Sequence, residues 1–175
     1  MCIRDSYKGK APTNFLIGTW WNHGIVKAEA QISAVSGRII KQKVKFIRGD
    51  VRNIKSLNKA MKGTDAVIHL AYINGTKYFY TKPVLTLDVA VKGIINVIDL
   101  CIKNRIKELY LASSSEVYQT PNKIPTDENE SLKIPDIYNP RYSYGGGKIL
   151  IELMGIHYGK KYFKKLVIFL SLIHI

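Results

Sequence analysis

Between residues 44 and 170, short apolar runs of strand length alternate with longer stretches whose apolar positions recur every three to four residues. Val44-Lys-Phe-Ile47 is a short β-type run ending at Gly49-Asp50. Residues 54–61 read as a helix, with Leu57 and Met61 on one face and Gly63 as its stop. The apolar run 66–70 predicts a buried strand. Residues 84–102 predict a long helix, in which Leu87, Val91, Ile94, Ile98 and Ile102 form the core-facing stripe. Residues 109–112 are the next strand and lead into Ser113-Ser-Ser115. A loop rich in Pro, Asn and Asp spans 119–140, a helix spans 143–162, and a further strand begins at Leu166.

This alternation implies an α/β fold: a Rossmann-like parallel sheet with flanking helices and right-handed crossovers, truncated at both ends. Ligands in such sheets sit beyond the C-terminal ends of the strands. Asp50, Leu70-Ala71 and Ser113–Ser115 all follow strands directly. Residues 1–43 have no clean period, Trp20-Trp21-Asn22-His23-Gly24 included, and read as an atypical or artefactual N-terminal segment. Residues 44–170 are the partial nucleotide-binding domain, and 171–175 an artefactual tail, since neither 1–6 nor 171–175 continues its neighbour's pattern.

Composition narrows the class. Hydrophobic residues make up 46% of the 175, enough for one globular core. No apolar run reaches membrane-spanning length. Cys2 and Cys101 lie far apart with no metal-ligand spacing around them, so no metal site is expected and a reduced, cytoplasmic setting is. The net charge of +14 is spread over the chain, with one tight group at Lys160-Lys161 and Lys164-Lys165. Dispersed lysines read as a solvated surface, and no zinc spacing or RNA-binding signature points to nucleic acid.

The strongest chemical signal is Tyr144-Gly-Gly-Gly-Lys148, preceded by Ser113-Ser-Ser-Glu-Val-Tyr118. A Tyr and a Lys four apart share one helix face. A tyrosine with a pKa of about 10 is a poor base near neutrality. A neighbouring ammonium favours its phenolate, and the pair can then exchange a proton with a hydroxyl. Three glycines in a helix cost roughly 1 kcal/mol each relative to alanine, which suggests close approach of a ligand or backbone.

Gly49-Asp50-Val-Arg52, Val67-Ile-His-Leu-Ala71, the Ser-Ser-Ser-Glu-Val-Tyr stretch and Asn139-Pro-Arg-Tyr-Ser-Tyr-Gly-Gly-Gly-Lys148 come in the order seen in extended short-chain dehydrogenases/reductases. The chain resembles the NAD-dependent nucleotide-sugar epimerase/dehydratase branch over about residues 44–170. The resemblance implies NAD as cofactor, a nucleotide-sugar substrate, no membrane or nucleic-acid partner, and a homodimeric parent. It implies Tyr144 as acid/base, Lys148 on the nicotinamide ribose, Ser114 completing the triad, and Glu116 as a further catalytic candidate. Asp50 would accept from the adenine amino group with Val51 beside the ring, and Leu70 and Ala71 would lie along the dinucleotide. His69 is expected to be buried rather than catalytic.

Ser115-Glu116 stands where the dehydratases carry Asp-Glu. The expected activity is therefore UDP-glucose 4-epimerase-like, with hydride transfer at C4. The alternatives are a UDP-glucuronate decarboxylase-like or dTDP-glucose 4,6-dehydratase-like enzyme, or a non-catalytic dinucleotide-binding module. The glycine-rich phosphate loop of the family is absent; Phe15-Leu-Ile-Gly18 is its one remote echo.

Overall fold

The computed structural model describes residues 14–18, 24–32 and 39–171. Trp20–His23 and residues 1–6 and 172–175 lie outside the described residues.

Six strands form one sheet: β1 (Asn14–Gly18), β2 (Gly24–Ile32), β3 (Ile39–Arg48), β4 (Ala66–His69), β5 (Glu108–Ser114) and β6 (Lys165–Ser171), in the order β3-β2-β1-β4-β5-β6. This is the strand order of a dinucleotide-binding sheet. β1, β4, β5 and β6 pair in parallel. β2 pairs antiparallel with both β1 and β3. The reason is chain length: residues 19–23 alone join β1 to β2, and 33–38 alone join β2 to β3. A parallel return needs a crossover of a dozen or more residues, so these strands can only reverse. The expected parallel sheet is thus present in its second half, while its first half is an antiparallel meander.

Residues 14–43, which show no clean period, supply β1, β2 and the start of β3. β1 is a central strand, with Phe15 opposite Ala66 and Gly18 opposite His69. At the other end, Ser171 pairs with Ser114.

Helices α1 (Ile54–Met61), α2 (Thr76–Thr81), α3 (Pro83–Lys103) and α4 (Ser143–Tyr162) complete the fold. The connections β3-α1-β4, β4-α3-β5 and β5-α4-β6 all advance in one direction along the sheet. Right-handed crossovers therefore stack α1, α3 and α4 on one face. Asn53 caps α1 by accepting from the N–H groups of Lys55 and Ser56, both at 3.1 Å. The short helix α2 has no counterpart in the periodicity, because six residues with one buried side chain, Phe79, carry too little pattern.

The predicted stripe on α3 is partly displaced. Ile94 and Ile98 are fully buried, but Leu87 is 43% exposed. The buried face also runs through Thr86, Val89, Ala90, Gly93, Val97, Leu100 and Cys101. α3 is wedged between α1 and α4, so it buries a wide face. Small residues on that face let neighbours approach closely, and a scan for large apolar residues passes over them.

Glycines do the same on α4. Gly147, Gly155 and Gly159 are buried at four- and eight-residue intervals. Added methyl groups at Gly155 and Gly159 would press into Leu111 and Leu166. A methyl at Gly147 would fall on the Tyr72 hydroxyl and 2.9 Å from the Cβ of Ala90 on α3. Alanine normally stabilises a helix over glycine by ~1 kcal/mol. Here Gly147→Ala should instead destabilise by about 1–3 kcal/mol, the range for overpacking. Urea unfolding measures this, and an unchanged or raised midpoint would show that Tyr72 and Ala90 yield freely.

Candidate active site

The parallel strands place Ser114 at the C-terminal end of β5, directly beside the first turn of α4. Tyr144 and Lys148 stand one helical turn apart on α4 and are both buried, as is Ser114. The structure brings these three expected residues together.

Lys148 points inward. Its Nζ donates to the carbonyl of Ala112 on β5 at 2.7 Å. The ammonium lies 4.3 Å from the centre of the Tyr72 ring and 5.6 Å from that of Tyr144, within range of cation–π attraction. Burial drives its pKa down to about 8, against an opposing pull from the Glu152 carboxylate.

Tyr144 is packed on two sides. Phe79 of α2 stacks on it with ring centres 4.8 Å apart, and Tyr72 meets it edge-on at 5.1 Å. The Tyr72 hydroxyl donates to the Tyr144 carbonyl at 3.3 Å. The sequence suggests that Lys148 lowers the Tyr144 pKa. In the structure burial dominates and raises it, the Glu116 carboxylate adds to the rise, and a hydrogen bond with Ser114 works the other way. The physical reason is that Tyr144 loses solvent, while the Lys148 ammonium is turned toward Ala112 and Tyr72.

The glycines of the motif meet protein neighbours. Gly145 lies against the carbonyl of Glu116, and Gly146 against Ile134. Ser113 turns away from Tyr144 to bond Glu152, leaving Ser114 as the serine on the phenol.

Glu116 follows in a 3-10 turn, Ser115–Val117. Its carboxylate accepts both arms of the Arg141 guanidinium, at 2.9 and 3.1 Å. Arg141 went unnoticed in the sequence. It sits three residues before Tyr144 in a second 3-10 turn, Pro140–Tyr142, and its charge had no visible partner until the fold supplied Glu116.

At the end of β3, Asp50 accepts from Arg52 Nη2 at 2.7 Å and from the Arg52 backbone at 2.8 Å. Arg52 also reaches Asp88 on α3 at 2.9 Å, and Asp88 pairs with Lys92 at 2.6 Å. Both bridges hold the Arg52 guanidinium above its ordinary range, and Lys92 and Arg52 hold the Asp88 carboxyl below its own. Asp50, Arg52, Asn53, Asp88 and Lys92 line an open recess of about 670 Å³. Val51 is buried with Ala71, Ile73 and Val89, and Gly93 lets α3 approach it to van der Waals distance. Leu70 lies at the surface beside Ala71. His69 is buried and neutral, its pKa lowered to about 3 by desolvation and then by Lys148, as its apolar flanks suggest.

The Lys148 shift has a stability consequence. Its folded pKa, about 8, lies below the ordinary 10.5. Between those values the unfolded chain binds more protons, so the cost of the buried ammonium is relieved as pH rises through that window. Lys148→Met should be more stable than wild type at pH 7, by up to about 3 kcal/mol, and the difference should shrink by pH 10. Urea unfolding of both proteins at the two pH values decides it; a constant difference would contradict the assignment.

A family model described as the NAD dependent epimerase/dehydratase family matches residues 16–174. The bifunctional UDP-glucose 4-epimerase and UDP-xylose 4-epimerase 1 of Pisum sativum is 30% identical over 134 residues, covering 75% of this chain and 37% of that protein. A putative UDP-glucose 4-epimerase of Methanocaldococcus jannaschii is 32% identical over 130 residues, covering 70% of this chain and 40% of that one. The crystal structure of UDP-glucose 4-epimerase from Bifidobacterium longum in complex with NAD+ and UDP superposes with a TM-score of 0.58 at 25% identity, over 69% of this chain and 36% of that one. The chain thus spans well under half the length of these relatives. The family match, the strand order and the relatives agree: this chain belongs to the NAD-dependent epimerase/dehydratase family of enzymes, whose cofactor is NAD.

Proposed function

We propose that the whole protein is a UDP-glucose 4-epimerase-like enzyme that acts on a nucleotide sugar at C4, with Tyr144 as acid/base. The observation that carries this reading is the convergence of Ser114, Tyr144 and Lys148 at the end of β5. NAD, when bound, supplies the hydride acceptor and donor. The chain's own residues handle the proton. Tyr144 takes it from the C4 hydroxyl as the 4-keto sugar forms and returns it afterwards, Ser114 orients the phenol, and Lys148 supplies nearby positive charge.

The residues fit one end of the cofactor better than its middle. Among the described residues, Ala112 alone accepts from the Lys148 ammonium, which leaves donors for ribose hydroxyls. Asp50, at the end of β3, stands where an adenine amino group would be accepted, with Val51, Leu70 and Ala71 lining the path. Among the described residues the pyrophosphate has no matching element, since β1 is followed by β2 and not by a helix whose N-terminus could hold it.

Ser115 lacks the carboxyl of the dehydratase pair, and Glu116 is engaged by Arg141. The first weighs against dehydration, the second against Glu116 as the proton-transfer group of either alternative, and the names of the relatives favour epimerisation. A module that only senses dinucleotide would have no use for the triad. Exposed apolar side chains at Val84, Leu87 and Ile95 on α3 and at Leu153 and Ile156 on α4 support a homodimer. No helix among the described residues is long and apolar enough to cross a membrane.

Tyr144→Phe in the full-length enzyme should lower turnover of UDP-glucose by about two to four powers of ten while NAD remains bound. Turnover within tenfold of wild type would remove Tyr144 from this role. The chain described here should bind NAD with a dissociation constant on the order of 1 mM or weaker. Micromolar affinity by calorimetry would require a phosphate site within residues 1–43.

A further inference from the structure

We infer that Arg141 is a positioning residue of the reaction centre: through Glu116 it fastens the first turn of α4 to the end of β5, and it screens the Glu116 carboxylate from the Tyr144 phenol. The inference rests on the reading of Tyr144 as acid/base. It gives Glu116 a holding role in place of proton transfer.

Three observations support it. First, the bridge is bidentate, with Nη1 to Oε2 at 2.9 Å and Nη2 to Oε1 at 3.1 Å. Such a fork fixes orientation as well as distance. Second, its ends lie on the two segments that must stay in register. Glu116 is two residues past Ser114, and its backbone N–H donates to Ser114 Oγ at 3.3 Å. Arg141 is three residues before Tyr144, and Gly145 packs directly on the Glu116 carbonyl. Third, Arg141 lies 5.5 Å over the ring of Phe79, which in turn stacks on the Tyr144 ring. Arg141 therefore reaches Tyr144 by two routes, one ionic and one through packing.

Among the described residues, the charges facing Tyr144 are few. Glu116 comes from the turn after β5, Arg141 from the turn before α4, and Lys148 from α4 itself. Tyr72, from the loop after β4, is held neutral by burial, its pKa raised out of reach, and Phe79 of α2 is uncharged. The Glu116 carboxylate pushes the Tyr144 pKa upward. Arg141, bonded to that carboxylate, offsets it.

Removing Arg141 thus has a defined sign. Arg141→Gln leaves Glu116 uncompensated and loosens the bond between Ser114 and Tyr144, and both effects raise the Tyr144 pKa. Adding Glu116→Gln removes the stray charge and should bring it back. Titration of ζ-carbon-labelled tyrosine by NMR in this chain reads the phenol directly, with Tyr144→Phe to assign the signal. The expected results are a rise of about half a unit to one unit in Arg141→Gln, a smaller rise in Arg141→Lys, and reversal of most of the rise in the double variant. In the full-length enzyme, the rising limb of kcat against pH should move in the same order. An unmoved signal in Arg141→Gln, or a double variant no lower than the single, would overturn the inference. Should Arg141→Gln fail to fold, the comparison of wild type, Arg141→Lys and the charge-free double variant carries the same test. Phenol shifts in this order without epimerase turnover would keep the electrostatic link and reject the proposed function instead. A kcat of Glu116→Gln at least a hundredfold below that of Arg141→Gln would make Glu116 an acid/base and overturn its holding role.

Discussion

The ammonium of Lys148 lies inside the protein with one carbonyl, that of Ala112, and the faces of two phenol rings around it. Most of the site's geometry follows from keeping a charge there. A buried cation needs an acceptor, and the nearest is the backbone of β5, so α4 must lie close on that strand. Close approach requires glycine where the helix meets neighbours, and Gly145, Gly147, Gly155 and Gly159 stand at those points. The helix then delivers Tyr144 to Ser114. One electrostatic demand thereby orders the helix packing, and the packing brings Tyr144, Ser114 and Lys148 together.

The same burial sets the chemistry. Desolvation lowers the Lys148 pKa to about 8 and raises that of Tyr144, so their order inverts and the phenol holds its proton more tightly than the ammonium does. The remaining bias on Tyr144 comes from Glu116, and the bridge to Arg141 limits it. At the far edge of the sheet a separate network of Asp50, Arg52, Asp88 and Lys92 ties the end of β3 to α3, anchoring the segment where an adenine would lie.

Much of this was legible in the residues. Periodicity located α1, β4, α3, β5 and α4, because each buries one side of a regular element. The spacing of Tyr144 and Lys148, with Ser114 after a strand, marked three side chains that the fold brings together. What escaped did so for physical reasons. β1 and β2 show no clean period, and their place comes from pairing with distant strands, which leaves no local trace. The direction of β2 follows from the short connections around it. The true buried face of α3 runs through Ala90 and Gly93, which a search for large apolar residues ignores. Arg141 and Glu116 are 25 residues apart in the chain, and only the fold puts them in contact. The Tyr144 shift was expected from charge alone, whereas burial, a property of the folded state, decides its direction.

In the proposed reaction hydride leaves and returns at C4 while Tyr144 moves only the hydroxyl proton. The direct measurement is the fate of deuterium placed on C4 of UDP-glucose when the full-length enzyme turns it over in ordinary water. The expected product is UDP-galactose that keeps its deuterium at C4 through every turnover. Product carrying solvent hydrogen at C4 would contradict it.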